Sequence, residues 1–183
     1  FLMEAAFLTS LGGVIGICIA WALAAYVSDA LVKLMIGVIT FVFVLNQWLG
    51  LVKRAADALK PSAASGVFWG ILSGFTSMLA HAGAPPMNVH LLPQQLPKMV
   101  YIGTVTIYFA SVNAIKVVPF FLLGEFTQST LLIALVLMPF AVLTNLCGIW
   151  IAKRIPEALF YRLAYVLMFL VSLELIRSGV TTM

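Results

Sequence analysis

Charge is nearly missing from this sequence. Six acids and ten bases make up 9% of its 183 residues, where a soluble domain carries about 25%. With 63% of residues hydrophobic and a mean hydropathy of +1.14, one soluble core could not hide the apolar surface. The expected solvent is a lipid bilayer. The bases form no stripe and are not interleaved with polar residues, which excludes a nucleic-acid footprint. Most of them close apolar runs instead, where they report topology. Cysteine is reduced to Cys18 and Cys147. Both sit inside apolar runs and read as buried small hydrophobes, not as a disulfide. No basic n-region or small-residue cleavage site precedes the first apolar run, so no signal peptide is expected. The abrupt start at Phe1 suggests that an N-terminal portion is missing.

Acids are absent where chemistry would need them. Asp29, Asp57, Glu125, Glu157 and Glu174 lie at span ends or in linkers, and Glu4 lies in the amino-terminal leader. A metal site built on His81 and His90 would lack its carboxylate ligand at depth. A serine nucleophile at Ser73 or Ser77 would lack the carboxylate that orients its histidine. No cofactor, metal or catalytic residue is therefore expected. An intramembrane enzyme using His81 and His90, or a non-transporting membrane subunit, remains as an alternative to a carrier.

What the chain does have is long apolar runs. Five of them, about Leu8–Val27, Ala30–Leu51, Pro97–Leu123, Ser129–Ile151 and Ala158–Ile176, reach the roughly 20 residues that cross a bilayer as a helix. The segment at about Gly66–Leu96 behaves differently. It begins like a membrane helix, then breaks into His81-Ala-Gly-Ala-Pro-Pro86. Non-helical backbone at membrane depth survives only against protein or water, and in carriers such breaks form the substrate site. The fold class is an all-α integral membrane bundle with a broken, re-entrant hairpin.

Lys53, Arg54 and Lys60 mark the linker after the second span as cytoplasmic, and Lys153 and Arg154 mark the last turn likewise. The broken segment must then enter and leave on the cytoplasmic side, and the C-terminus lies outside. A multi-pass protein of a bacterial inner membrane is expected. Residues 1–51 read as the end of a first repeat, 52–65 as a cytoplasmic linker and 66–183 as a second repeat. A shift of 128 residues lays Asp29-Ala-Leu31 on Glu157-Ala-Leu159, with Val38 on Val166, Phe41 on Phe169 and Leu45 on Leu173. The two hairpins have opposite orientation, the signature of inverted-topology repeats.

On the span after the break, Thr106, Asn113 and Lys116 share a sector of about 80°. Seven apolar residues separate Lys116 from Gly124, placing it about 10 Å below the outer end of the helix. A cation at that depth is a functional-site hypothesis, and snorkelling along its stem is the alternative. His81 could donate to an anion or carry a coupling proton, or serve a structural role at the helix end. Gly83 through Pro86 would let a short helix begin near Met87, whose free N–H groups would cradle an anion. His90 lies on that short helix. Gln94, Gln95 and Lys98 read as a solvated cytoplasmic rim. Asn46 and Asn145 read as interhelical hydrogen-bonding groups.

Ser77-Met-Leu-Ala-His-Ala-Gly-Ala-Pro-Pro86, Leu91-Leu-Pro93, Gly103-Thr104, Asn113-x-x-Lys116 and Leu123-Gly124 resemble, in order and spacing, the second half of the sulfite exporter (TauE/SafE-type, TSUP) membrane permeases. The first two spans look like the last two helices of that family's first half. The resemblance implies a permease for sulfite, sulfonates or related small sulfur anions. Read from their own chemistry and placement, His81, Gly83, Ala84, Met87, Thr106, Asn113 and Lys116 are the expected substrate contacts. The permease's partners would be the small anion, the bilayer, and either the missing N-terminal half or a second copy. Ala84 departs from the family's Gly-Gly-Pro-Pro and would be disfavoured if that position needs positive φ.

Overall fold

The computed structural model describes residues 2–23, 26–49 and 63–182, with side chains for 9–23, 26–49 and 64–182. Lys53, Arg54, Asp57 and Lys60 lie outside the described residues, and so does most of the expected cytoplasmic linker. The described residues are helical apart from short turns: α1 (Leu2–Leu23), α2 (Asp29–Leu49), α3 (Ala63–Leu79), α4 (Ala84–Leu91), α5 (Lys98–Leu122), α6 (Gln128–Arg154) and α7 (Glu157–Thr181). A 3-10 turn, Leu92–Gln94, follows α4. Of these, α2, α5, α6 and α7 are long and apolar enough to span a membrane.

Local chemistry fixes most of the ends. The Ser28 hydroxyl accepts from the Leu31 N–H at the start of α2, and Thr127 does the same for Thr130 at the start of α6. Each satisfies one of the four N–H groups that a helix start leaves orphaned. Pro97 and Pro156 stand just before α5 and α7. Gly124, at φ 75, ends the α5 turn in a conformation that side chains resist.

Glycine sets the tightest contact in the bundle. A Cβ on Gly12 would lie 2.4 Å from the Val67 carbonyl oxygen, and one on Gly16 would lie 2.1 Å from that of Ile71. Reciprocally, a Cβ on Gly70 would meet Thr9 O at 2.3 Å, and one on Gly74 would meet Gly13 O at 2.1 Å. The contacts advance together along both helices, so α1 and α3 run parallel, backbone on backbone, as small residues at four-residue spacing allow. Tyr108 of α5, fully buried, seals this pair by donating to Gly70 O at 3.2 Å. A second pair, α2 and α7, is antiparallel: Gly37 meets Ile176, and Gly179 meets Ala30 and Leu34. Phe41 stacks on Phe169 at 5.6 Å between ring centres.

The broken segment doubles back. Gly83 packs on Ser73 and Ser77 in the last turns of α3, whereas the His90 ring reaches Ser65 near its start. So α4 runs antiparallel to α3 and returns to the end from which α3 set out. At that end Tyr161 donates to the Leu96 carbonyl. Lys98 Nζ donates to Lys153 O at 3.2 Å and to Ile155 O. Lys98 therefore closes the C-terminus of α6 instead of forming a free rim, as cations at helix C-termini do. Hairpin entry, hairpin exit and the α6–α7 turn lie at one end of the bundle. Cys18 and Cys147 are free and exposed on its outer surface, not buried. Exposure to the bilayer does not penalise a thiol, so neither needs a core position.

Candidate functional site

The break between α3 and α4 is built by three hydroxyl residues on the last turns of α3. Ala80 and Ala82 both direct their N–H groups at the Thr76 carbonyl, at 3.0 and 3.1 Å. Ser73 Oγ donates to Gly83 O at 2.6 Å, and Thr76 Oγ1 lies 3.0 Å from Ala82 O. Backbone that lipid could not satisfy is thus satisfied by side chains one turn apart. The reversal falls on His81, at φ 53, a left-handed conformation in which a Cβ crowds the following carbonyl. Gly83 has an ordinary φ of −76. Its glycine is required by closeness instead, because a Cβ would sit 2.7 Å from that of Ser77 and 2.9 Å from Ser73 O. Ala84 is the first residue of α4, so the expected penalty for replacing glycine there does not arise.

Lys116 meets this break from α5. Its side chain is buried and does not snorkel. Nζ donates to Ser77 O at 2.9 Å and lies 3.2 Å from Ser77 Oγ. Ser77 O is among the last four carbonyls of α3, which a helix end leaves unpaired, and a cation there offsets the negative end of the macrodipole. The ammonium also stands 5.5 Å from the centre of the Phe120 ring, on which the exposed His81 imidazole stacks at 6.0 Å. Lys116, Phe120 and His81 form one cluster beside the reversal. Two of the three ammonium donors are taken by Ser77.

The start of α4 differs from expectation. It begins at Ala84, three residues before Met87, because Pro85 and Pro86 occupy its first turn, where a fixed φ favours the helix. Neither proline has an N–H. The Met87 N–H points at Gly83 O at 3.5 Å, and the Met87 side chain is fully buried. Met87 therefore supplies no free donor, and the amide cradle expected there is reduced to the groups ahead of the prolines. Beside this turn, Ala84, Pro85 and Asn88 face Ala164, Leu167, Met168 and Val171 of α7 across a groove of about 220 Å³. The side-chain Oδ1 of Asn88 accepts from Tyr101 Oη at 2.6 Å.

Thr106 and Asn113 are not brought to Lys116. Both are exposed, on the flank of α5 turned away from its buried line of Tyr101, Tyr108, Val112 and Lys116. An 80° sector is wide enough for its two edges to face different neighbours. His90 is buried between Ser65 Oγ at 3.3 Å and Gln94 Nε2 at 3.2 Å, a structural tie within the hairpin. Asn145 is exposed on α6. Sequence reasoning missed Thr76 and Phe120, and weighed Ser73 only as a nucleophile, not as a partner of the break. A run of hydroxyls at helical spacing just ahead of the break was the available signal for Ser73 and Thr76.

The family model described as sulfite exporter TauE/SafE matches residues 2–175. No curated protein and no solved structure matches the chain. The match runs from α1 through the hairpin and its lysine into the last turns of α7, so the chain belongs to the sulfite exporter TauE/SafE family of membrane transporters.

Proposed function

We propose that this chain moves small sulfur-containing anions, sulfite or organic sulfonates, through a site at the α3–α4 break. One observation carries the reading: a buried ammonium, Lys116, fixed on the carbonyl end of a helix that stops inside the bundle. An anion reaching the break would take the third ammonium donor, with His81 on the exposed side of the same cluster as a second donor. Gly83 and Ala84 offer the backbone N–H groups ahead of the prolines. Thr106 and Asn113 face outward from α5, and they serve the substrate only if a partner helix or a second copy completes a path along that flank. The linker and turn charges orient the hairpin toward the cytoplasm, with the C-terminus outside in a bacterial inner membrane.

The test is flux in proteoliposomes under an imposed potential, with sulfite, sulfoacetate and a taurine-like zwitterion offered separately. Wild-type protein should move at least one of them. A charge-assisted hydrogen bond contributes about 1.5–3 kcal/mol, so Lys116→Met should weaken substrate affinity about tenfold or more. Lys116→Arg should rescue only partly, because a planar fork replaces a compact ammonium. Wild-type affinity in a folded Lys116→Met protein would refute this site.

A further inference from the structure

Thr40 is the exception among the buried hydroxyls of the described residues. It is 1% exposed, and its Oγ1 has no hydrogen-bond partner among the described residues. Other helical hydroxyls satisfy themselves on a carbonyl one turn back. Thr104 bonds Val100 O at 2.8 Å, Ser111 bonds Ile107 O at 2.9 Å, and Thr144 bonds Phe140 O at 2.8 Å. Thr40 could use the Ile36 carbonyl in the same way, yet its hydroxyl points elsewhere. A buried hydroxyl left without a partner is costly, so its retention calls for an occupant.

The position says what occupant. α2 packs against both α7 and the hairpin. One turn outward of Thr40, Ile36 shares a packed cluster with Ala80 and Ala82 of the break. One turn inward, Val44 shares a cluster with Met87 and Leu91 of α4. On the helical wheel Thr40 lies between Ile36 and Gly37, and Gly37 meets Ile176 of α7. The hydroxyl is thus held where α2, α7 and the reversal into α4 converge. No acidic or basic side chain of the described helices lies near Thr40 in sequence on α2; the closest is Lys33, paired with Asp29.

We propose that Thr40 is a ligand-binding residue of the hairpin site: its hydroxyl donates to an oxygen of the bound sulfur oxyanion from the α2 side. The inference rests on the reading of the hairpin as an anion site, and it extends that site to a helix carrying none of the motif residues. Its test is the thermal stability and ligand affinity of the full chain in detergent, titrated with sulfite and separately with sulfoacetate. Thr40→Val keeps the shape and removes the hydroxyl. It should melt at or above the wild-type temperature without ligand, because an unpaired polar group is gone, and should bind the anion about tenfold more weakly. Thr40→Ser should bind within about twofold of wild type. Wild-type affinity in Thr40→Val, with Lys116→Met still impaired, would overturn the Thr40 role alone. A Thr40→Val protein less stable without ligand would also overturn it, by making the hydroxyl structural. A wild-type protein stabilised by neither anion would overturn the anion site itself, and this inference with it.

Discussion

Gly16→Ala is the sharpest probe of how the bundle is held. The added Cβ would lie 2.1 Å from Ile71 O and 2.8 Å from Phe75 N, roughly 1.3 Å short of an ordinary 3.4 Å contact. Both obstacles are backbone, so no side chain can rotate aside, and α1 must separate from α3 along its length. Overpacking costs about 1–3 kcal/mol, and a backbone clash belongs at the upper end. Alanine returns about 1 kcal/mol of helix propensity. The net loss is about 2 kcal/mol, which for a chain of this size lowers Tm by about 4–8 °C. At Gly103 in α5 an added Cβ would meet nothing within 4 Å, so Gly103→Ala keeps the propensity gain alone and should raise Tm by about 2–4 °C. Gly16→Ala combined with Gly74→Ala should cost less than the two losses added, because the first separation already makes room for the second methyl. The assay is thermal unfolding of purified protein in one detergent. If Gly16→Ala melts at or above wild type while Gly103→Ala behaves as expected, the close α1–α3 contact does not exist.

His81→Gly should stabilise the resting protein by about 1 kcal/mol by relieving the left-handed backbone, read as a higher Tm. His81→Gln keeps the strain, and if His81 carries a coupling proton it should uncouple flux from a pH gradient while anion exchange continues; an unchanged pH response in a well-expressed variant would dismiss the proton role. Single cysteines replacing Ser65 and Lys98 should both label from the cytoplasmic side, and a reporter after Met183 should read outside. Labelling of the two cysteines from opposite sides would break the hairpin topology.

The helices and the doubling-back of the broken segment were legible because length, hydropathy and Gly-Pro chemistry are local signals. The partnership of α1 with α3 was not. Gly12 and Gly16, like Gly70 and Gly74, show four-residue spacing, but a single sequence does not say which glycine face meets which, least of all for parallel helices separated by α2. The same limit applied at the site. Lys116 was visible as a cation out of place, while its partner, the Ser77 carbonyl, is a backbone group that every residue has. Met87 departs from expectation because Pro85 and Pro86 lie inside the first turn of α4 and not ahead of it. Thr40 was invisible for the opposite reason. A threonine in an apolar run normally back-bonds, and only the folded chain reveals one that does not.

The position of Lys116 changes what its charge is for. A helix that stops inside a membrane presents carbonyls to a medium that cannot solvate them, and donors must stand there before any substrate arrives. Lys116 meets that need with its bonds to Ser77, which binds the end of α3 to α5 in the resting protein. An anion entering the break would then find an ammonium already desolvated and oriented, so little further reorganisation is needed to bind it. The same arrangement makes the ligand compete with Ser77 for the ammonium, and a tightly held anion would loosen the tie between α3 and α5. Binding and hairpin movement are coupled through one side chain. Lys116→Met should therefore lose both, lowering the resting Tm as well as the affinity, whereas Thr40→Val should lose only affinity. A Lys116→Met protein with wild-type resting stability would show that the α3 carbonyls find another partner, and that coupling would fail.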